Sequence, residues 1–136
     1  MNKTILSCLS VFILLLLFAG QAVAASAIDT AYKDYAGAEG LTFDIERGKK
    51  LWDKAGITKD NKVRKCSTCH GDDLSKMGKH AKTGKVIKPL APSANKKRFT
   101  KLKKINKWFK RNCKWTLGRE CTGQEKGDLL MYLSQL

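Results

Sequence analysis

The apolar positions of this chain recur with helical spacing in three places and alternate like a strand in none. The clearest pattern covers Thr100–Cys113, where steps of about 100° per residue separate one apolar stripe from a wholly basic face. The stripe comprises Leu102, Ile105, Trp108, Phe109 and Cys113. The basic face comprises Lys103, Lys104, Lys107, Lys110 and Arg111. An amphipathic helix is therefore predicted, and Asn112 falls in the middle of its apolar stripe.

One further helix is predicted on either side of this segment. Residues Thr42–Ala55 are expected to be helical, with Gly48 on the apolar face, where another helix can approach closely. That face also carries Phe43, Leu51 and Trp52. The run Thr122-Gly123-Gln124-Glu125 fits a capping box and should open the last helix. The buried face of the last helix should comprise Leu129, Leu130, Tyr132, Leu133 and Leu136.

The segments between and before these helices lack a periodic pattern. Residues 25–41 are expected to be a loosely ordered N-terminal extension, and residues 56–65 a polar loop. Residues 71–98 should be mostly loop, because three glycines and both prolines of the chain interrupt them. The prediction is an all-α domain over residues 42–136, without a sheet.

Composition and charge narrow the class of protein. A chain of 136 residues suffices for one small domain, and its 43% hydrophobic content excludes a wholly disordered chain. The formal net charge is +15. From Leu74 to Arg119 there are 16 Lys and Arg residues and no Asp or Glu. Such a surface suits binding to nucleic acid or to an acidic protein. The compartment to which the chain is sent decides which of these two partners it can meet.

The first 24 residues have the composition of a secretory signal. Lys3 is the basic start, Ile13–Phe18 is the apolar centre, and Ala22-Val23-Ala24 is a cleavage site; Ala25-Ser26-Ala27 is a second option. The apolar stretch is shorter than the ~20 residues of a membrane span. We therefore expect cleavage near Ala24, loss of Cys8 with the signal, and a periplasmic chain without a membrane span. The basic helix face should then dock a redox partner rather than nucleic acid.

The run Cys66-Ser67-Thr68-Cys69-His70 has the C-x-x-C-H spacing by which c-type cytochromes attach haem. Two thiols on one helical turn reach the two vinyl-derived carbons of a haem edge, and His70 then binds the iron. A thioredoxin-like site needs a preceding strand and a zinc site needs a second ligand pair, and neither is evident. One covalent haem c is predicted, in a class I cytochrome c-like fold whose N- and C-terminal helices pack beside the haem.

The sixth ligand of the iron is left open by the residues themselves. The candidates are Met77, His80, Met131 and, less conventionally, Asn95, Asn112 or a lysine. A buried Asn112 amide needs a partner, which is either the iron or a backbone carbonyl. The thiols of Cys113 and Cys121 should pair in an oxidising compartment, stabilising the fold by about 2–3 kcal/mol. A redox-active disulfide beside the haem is the alternative role for this pair.

Several runs together give the chain a specific family resemblance. They are Cys66–Gly71, Pro89–Asn95, Arg98-Phe99, Lys107–Phe109, Arg111–Cys113 and Gly118–Thr122. Over roughly residues 42–136 the chain resembles the sphaeroides haem protein (SHP) type cytochromes c. The resemblance implies that Asn112 is a sixth ligand that leaves on reduction, so that oxygen or nitric oxide can bind. It also implies a disulfide between Cys113 and Cys121, and electrons supplied by a dihaem cytochrome c.

The sequence thus predicts an electron-transfer and gas-binding haem protein rather than an enzyme. Leu90, Trp108 and Phe109 are expected in the haem pocket. One alternative is an ordinary low-spin carrier with Met or His as sixth ligand. A second is a haem reductase acting on oxygen, peroxide or nitric oxide. Nucleic-acid binding through the basic helix would require that residues 1–24 are no signal.

Overall fold

The computed structural model describes residues 25–58 and 61–136. The predicted signal, residues 1–24 with Cys8, lies outside the described residues. The described helices are α1 (Ala27–Ala36), α2 (Ile45–Asp53), α3 (Ser67–His70), α4 (Leu102–Thr116) and α5 (Gly123–Ser134). A short 3₁₀ helix, Gly37–Glu39, follows α1. No helix of the described residues is long and apolar enough to cross a membrane.

Helix α1 corrects the expectation for residues 25–41, which are not a loosely ordered extension. Ser26 caps the helix: its hydroxyl accepts a hydrogen bond from the Asp29 amide at 3.1 Å. The Asp29 carboxylate in turn accepts from the Ser26 amide at 3.2 Å, which completes a capping box. Ala31 and Tyr35 are buried, and α1 packs against α4 and α5. The segment therefore belongs to the folded domain.

Helices α2 and α5 cross in close contact, as the glycine on the predicted apolar face of α2 indicated. A Cβ added at Gly48 would overlap the backbone carbonyl oxygen of Asp128 on α5. A Cβ added at Gly127 would overlap the ring of Phe43, which precedes α2. The predicted role of Gly48 is confirmed. The helix itself is shorter than predicted, because Asp44 caps it by accepting from the Arg47 amide at 2.8 Å.

A buried carboxylate joins the two crossing helices. Asp128 on α5 is 4% exposed and accepts a hydrogen bond from the Asp44 amide at 2.7 Å. The Arg47 guanidinium donates to both carboxylate oxygens, at 2.9 and 3.0 Å, and Gln124 donates at 3.0 Å. Because every one of these donors comes from the start of α2 or from α5, the network fixes how the two helices meet.

The last helix begins at the predicted capping box, which is confirmed. The Thr122 hydroxyl accepts from the Glu125 amide at 3.2 Å, and the Glu125 carboxylate accepts from the Thr122 amide at 2.9 Å. Arg119 adds two further hydrogen bonds to the same carboxylate, each of 2.7 Å. The buried residues of α5 include Leu129, Leu130 and Leu133.

Two short antiparallel hairpins occupy segments predicted as loops. Strand β1 (Gly56–Ile57) pairs with β2 (Val63–Arg64), and β3 (Gly78–Lys79) pairs with β4 (Val86–Ile87). The expectation of no strand pairing is therefore wrong in this detail. Each strand has two residues, which is too short for an alternating pattern to appear in the sequence. The fold remains mainly helical.

Helix α4 is the predicted amphipathic helix, extended to Thr116. Its buried residues are Ile105, Phe109 and Cys113. Tyr35 of α1 donates its hydroxyl hydrogen to the side-chain oxygen of Asn106, which joins α1 to α4. Cys113 is bonded to Cys121, so the predicted disulfide is present. It connects α4 to the segment that leads into α5.

Candidate haem-binding site

The two cysteines of the C-x-x-C-H run contact different parts of the fold. Both are unpaired, in contrast to the disulfide-bonded pair described above. Burial raises the pKa of the Cys66 thiol to about 11, and hydrogen bonding with the side chain of Thr116 on α4 partly opposes that rise. Cys69 Sγ accepts a hydrogen bond of 3.3 Å from the Ala81 amide, in the turn between β3 and β4. Helix α4 therefore flanks Cys66, and the β3–β4 hairpin flanks Cys69.

The imidazole of His70 is half-buried at the end of α3. Burial, and secondly the nearby charge of Arg98, lower the pKa of His70 to about 4. The ring of Trp52 on α2 lies 5.6 Å from it, centroid to centroid. A neutral imidazole has a ring nitrogen with a free lone pair, which is the form that binds iron. His70 is thus held in the state required of a proximal ligand.

From the sequence, Arg98 was named only in a run that carries the family resemblance and was given no role, yet it stands beside the predicted iron ligand. It donates from Nε to the Pro89 carbonyl at 2.7 Å and from Nη2 to the Lys88 carbonyl. Asn95 donates to the same Pro89 carbonyl at 3.1 Å. Arg98 therefore anchors the loop before α4 and carries a positive charge towards His70. No local motif marks this residue, because its partners are backbone atoms of a loop.

Asn112 lies on the side of α4 that faces the haem cysteines. Thr116, one helical turn later, is the residue that meets Cys66. The Thr116 hydroxyl also donates to the Asn112 backbone carbonyl at 2.9 Å. The Asn112 side chain is half-buried, its amide makes no hydrogen bond with another described residue, and the amide atoms are open to solvent rather than enclosed. An amide in this position has its donors and its acceptor available to a ligand or a metal.

The other named candidates for sixth ligand differ in their surroundings. Met77 is 69% exposed. The His80 Nδ1 atom accepts hydrogen bonds from the Lys82 amide at 3.3 Å and the Thr83 amide at 3.2 Å, so that ring nitrogen is already engaged. Both polar atoms of the Asn95 side chain make hydrogen bonds. Its Nδ2 donates to the Pro89 carbonyl at 3.1 Å, and its Oδ1 accepts from the Lys97 amide at 3.3 Å. Met131 lies half-buried within α5.

Two of the three predicted pocket residues lie beside Asn112 on α4, and the third, Leu90, lies in the loop before that helix. Trp108 and Phe109 flank Asn112 around the helix circumference. Phe109 is buried, with its ring edge-on to Tyr35 at 6.3 Å. Trp108 is 46% exposed, and the Arg111 guanidinium lies over its ring at 5.1 Å. Leu90 is half-buried and its amide donates to the Leu74 carbonyl at 2.9 Å.

The β3–β4 hairpin is seated directly on the haem motif. A Cβ added at Gly78 would overlap the Cys69 carbonyl oxygen and lie 2.9 Å from the His70 Cα. His80 in the same hairpin contacts Trp115 of α4 edge-on at 5.0 Å. The guanidinium of Arg64 also lies over the Trp115 ring, 4.7 Å from its centroid. In the sequence only Gly78 hinted at a close approach here. The residues that make the other contacts lie far apart along the chain, so no local pattern reveals them.

These residues fit a covalently bound haem. Two unpaired thiols stand at helical spacing, a neutral imidazole follows them, and an amide without a partner lies one turn from the residue that meets Cys66. The thiols suit thioether bonds and the imidazole suits iron. By contrast, the described residues contain no group of three or more Cys, His, Asp or Glu arranged to hold a simple metal ion.

Comparison with known proteins also leads to proteins that bind haem covalently. The sequence profile of a family described as a domain of unknown function (DUF1924) matches residues 38–133. Cytochrome c-type protein SHP of Cereibacter sphaeroides is 43% identical over 100 residues, which are 74% of this chain and 77% of that protein. Cytochrome c'' of Methylophilus methylotrophus is 37% identical over 89 residues, which are 65% of this chain and 62% of that protein.

Solved structures of both relatives share the fold. Oxidised SHP, described as an oxygen binding cytochrome c, superposes with a TM-score of 0.72 at 39% identity, covering 83% of this chain and 100% of that one. Oxidised cytochrome c'' gives 0.66 at 31% identity, over 79% and 92% of the two chains. A solution structure of cytochrome c'', described in terms of haem-ligand detachment, gives 0.65 at 31% identity, over 78% and 90%.

The fold, the thiol–imidazole site and these matches define a c-type cytochrome of the small, mainly helical class I-like kind, with one haem c. The chain belongs to the DUF1924 family and, among the cytochromes c, to the SHP family. The resemblance drawn from the sequence is therefore confirmed.

Proposed function

We propose that this chain is an exported electron-transfer cytochrome whose distal site opens on reduction to bind small diatomic molecules. Haem supplies the redox centre and the metal that binds gas. Cys66 and Cys69 form the thioether bonds and His70 is the proximal ligand. Residues 1–24 are the cleaved signal and residues 25–136 form the periplasmic protein. The observation that carries the proposal is the unpartnered Asn112 amide beside the residue that meets Cys66.

Asn112 acts in this proposal as a sixth ligand that leaves when the iron is reduced. A neutral amide is a weak ligand whose position is held by the helix, so a change in the charge of the iron suffices to release it. The disulfide at the neighbouring Cys113 restricts how far this part of α4 moves. Trp108 and Phe109 wall the site, which keeps stronger protein ligands out.

The descriptions of two related structures support the proposal. The oxidised SHP structure is described as that of an oxygen binding cytochrome c. The solution structure of cytochrome c'' is described as giving insight into haem-ligand detachment. A site that releases a protein ligand and then binds oxygen combines these two properties. The comparisons are with cytochromes rather than enzymes, so we propose no catalytic residue.

The test is the optical spectrum of the Asn112→Ala variant in the oxidised state. Loss of a sixth ligand is expected to change the spin state of the oxidised iron relative to wild type. The reduced, carbon monoxide-treated forms of the two proteins should be similar, because in both the distal position is then open. The matched control is Asn106→Ala, the same substitution on the same helix at a residue that accepts from Tyr35.

Two outcomes would contradict the proposal. If oxidised wild type and Asn112→Ala have the same spin state while Asn106→Ala also matches them, Asn112 is not a ligand. A methionine-to-iron charge-transfer band in the wild type would identify an ordinary low-spin carrier instead.

The partner implied by the family resemblance, an acidic dihaem cytochrome c, is part of the proposal. The basic face of α4 was the predicted docking surface. Of its five cations, Lys110 lies 3.9 Å from the Glu120 carboxylate, which also pairs with the neighbouring Lys114 at 2.9 Å. Arg111 is held over Trp108. Lys103, Lys104 and Lys107 are exposed and make no ion pair among the residues that the structure describes.

A further inference from the structure

Tyr35 of α1 contacts both of the helices on which α1 packs. Its hydroxyl donates a hydrogen bond to the side-chain oxygen of Asn106 on α4. Its ring meets the ring of Phe109, further along α4, edge-on at 6.3 Å between centroids. From α5, the Lys126 ammonium lies 5.5 Å from the centroid of the Tyr35 ring. A residue that is only 9% exposed therefore joins three helices.

The backbone of Tyr35 is fixed as closely as its side chain. A Cβ added at Gly123, the first residue of α5, would lie 2.5 Å from the Tyr35 carbonyl oxygen. Helix α1 and the start of α5 thus meet backbone to backbone. Gly123 follows Cys121 by two residues, and Cys121 is bonded to Cys113 of α4. Tyr35, the start of α5 and the disulfide therefore form a closed loop of contacts that returns to α4.

Asn112 lies on the part of α4 between the two ends of this loop. Phe109, which Tyr35 contacts, precedes Asn112 by three residues, and Cys113 follows it directly. Residues three apart in a helix are neighbours on its surface, so Phe109 stands next to Asn112. Phe109 and Cys113 are both buried, so neither moves without displacing the side chains packed around it. The position of the Asn112 backbone is thereby set from both sides.

The Tyr35 hydroxyl is suited to act as a permanent donor. Burial, chiefly, raises the pKa of Tyr35 to about 12, so the hydroxyl keeps its proton at every pH near neutrality. Of the described residues of α4 that precede Asn112, Asn106 alone has a side chain hydrogen-bonded to another helix. The contact with Tyr35 is thus the polar attachment of this half of α4, as the disulfide is the covalent attachment of the other half.

We propose that Tyr35 is a positioning residue for Asn112, the sixth ligand of the proposed function. It holds α4 through the ring of Phe109 and the side chain of Asn106, and so sets the place at which the Asn112 amide meets the iron. A small displacement of α4 lowers the affinity of a weak, neutral ligand without removing it. The inference rests on the proposed function and adds a residue that tunes it, on a helix that the sequence did not predict.

The reduction potential of the haem-loaded protein reports this placement. Because Asn112 binds only the oxidised iron in the proposed function, weakening that bond raises the midpoint potential, by about 59 mV for each tenfold loss in a one-electron couple. Losing one typical hydrogen bond weakens an interaction by about fivefold. Tyr35→Phe should therefore have a midpoint potential about 40 mV above that of wild type. Its oxidised spin state should stay that of wild type, because Asn112 is held less tightly but is still bound.

A second readout is the binding of imidazole to the oxidised iron, where it competes with Asn112. The apparent affinity of Tyr35→Phe for imidazole should rise by the same factor of about five. Asn106→Ala, at an exposed position, removes the acceptor of the same hydrogen bond and should give both shifts. The matched control is Tyr32→Phe, which removes another α1 hydroxyl, one whose hydrogen bond is with Ser134 of α5. Its potential should stay within about 10 mV of wild type, which is less than a twofold change.

A double variant separates positioning from a general effect on the haem. In the Asn112→Ala background, Tyr35→Phe should change neither the potential nor the imidazole affinity, since the ligand through which Tyr35 acts is gone. An equal shift with and without Asn112 would overturn the proposal, and so would wild-type values for Tyr35→Phe. A shift of the same size in Tyr32→Phe would overturn it too, because general loosening of α1 would then explain the effect.

Failure of the proposed function has a different signature. If Asn112→Ala keeps the oxidised spin state and the potential of wild type, Asn112 is no ligand and the Tyr35 proposal is wrong with it. If Asn112→Ala alters both properties while Tyr35→Phe alters neither the potential nor the imidazole affinity, the proposed ligand is supported and only the role of Tyr35 is rejected. Thermal unfolding followed by circular dichroism is recorded for each variant, so that every comparison is made between folded proteins.

Discussion

At Gly48 the backbone of α2 touches the backbone of α5 with no space for a side chain. Gly48→Ala should therefore lower the free energy of unfolding by roughly 1–3 kcal/mol, because the helices must separate to admit the methyl group. Guanidinium denaturation followed by circular dichroism measures the change. Lys49→Ala, at the exposed neighbouring position, should stay within about 0.5 kcal/mol of wild type. Equal stability of the two variants would show that the crossing is not tight.

Single residues of the site differ in how well the sequence reveals them. Cys66, Cys69 and His70 are specified by a local motif, so no fold was needed to find them. Asn112 was marked by helical spacing, as a polar residue among apolar ones. Arg98 carried no such mark, because it acts on His70 through space and on the loop through carbonyl oxygens. Contacts of this kind depend on the closed tertiary structure.

At the scale of an element, the first turn of α5 gives a prediction about pH. The Arg119 guanidinium, chiefly, and the Thr122 amide hold the pKa of Glu125 at about 2, below its ordinary value of 4.5. A carboxyl whose pKa is lower in the folded state stabilises the fold above its ordinary pKa and loses that effect as pH falls towards 2. Wild type should thus lose about 1 kcal/mol more than Glu125→Gln between pH 5 and 2.

Urea denaturation at a series of pH values measures this difference. The control is Glu46→Gln, at an exposed carboxylate in the first turn of α2 that makes no ion pair among the described residues. Its stability at pH 5 should lie within about 0.5 kcal/mol of wild type. Parallel curves for Glu125→Gln and wild type would mean that the capping box and Arg119 contribute nothing that depends on charge.

The elements differ in how far the sequence could predict them. Helices α2, α4 and α5 have amphipathic spacing or caps, and all three were predicted with ends shifted by a few residues. Helix α1 was missed because the alanines, glycines and scattered charges of residues 25–41 suggested weak order, although Ser26 and Asp29 have the spacing of a capping box. The two hairpins were missed because a strand of two residues has no period. Their positions are set by Gly56 against Thr116 and by Gly78 against Cys69.

For the whole molecule, α1 bears on where the exported chain begins. Cleavage after Ala24 leaves Ser26 in place to cap α1, whereas cleavage after Ala27 removes the cap. Losing a serine cap costs about 1 kcal/mol. Intact mass spectrometry of periplasmic protein should therefore give a chain that begins at Ala25 and carries one haem. A chain that begins at Ile28, or a chain retained in the cytoplasm, would contradict the proposed export and its cleavage site.

The charge of the whole molecule is unevenly divided among its elements. Residues 28–47, in α1 and at the start of α2, carry five acids and two bases, in contrast to the basic hairpin and α4. The sequence showed this division but not its consequence. Only the structure places lysines of the hairpin beside Cys69 and pairs part of the α4 charge with Glu120.

The contact at Gly78 also provides a means of recognising further members of this group in genomes. Gly78 is the eighth residue after His70, and any larger residue there would push the hairpin away from the Cys69 carbonyl. A chain that folds this hairpin onto its haem motif therefore needs glycine at that distance. Searching genes for C-x-x-C-H followed eight residues later by glycine would collect candidates for the same contact between hairpin and haem motif, even where overall identity is too low to reveal kinship.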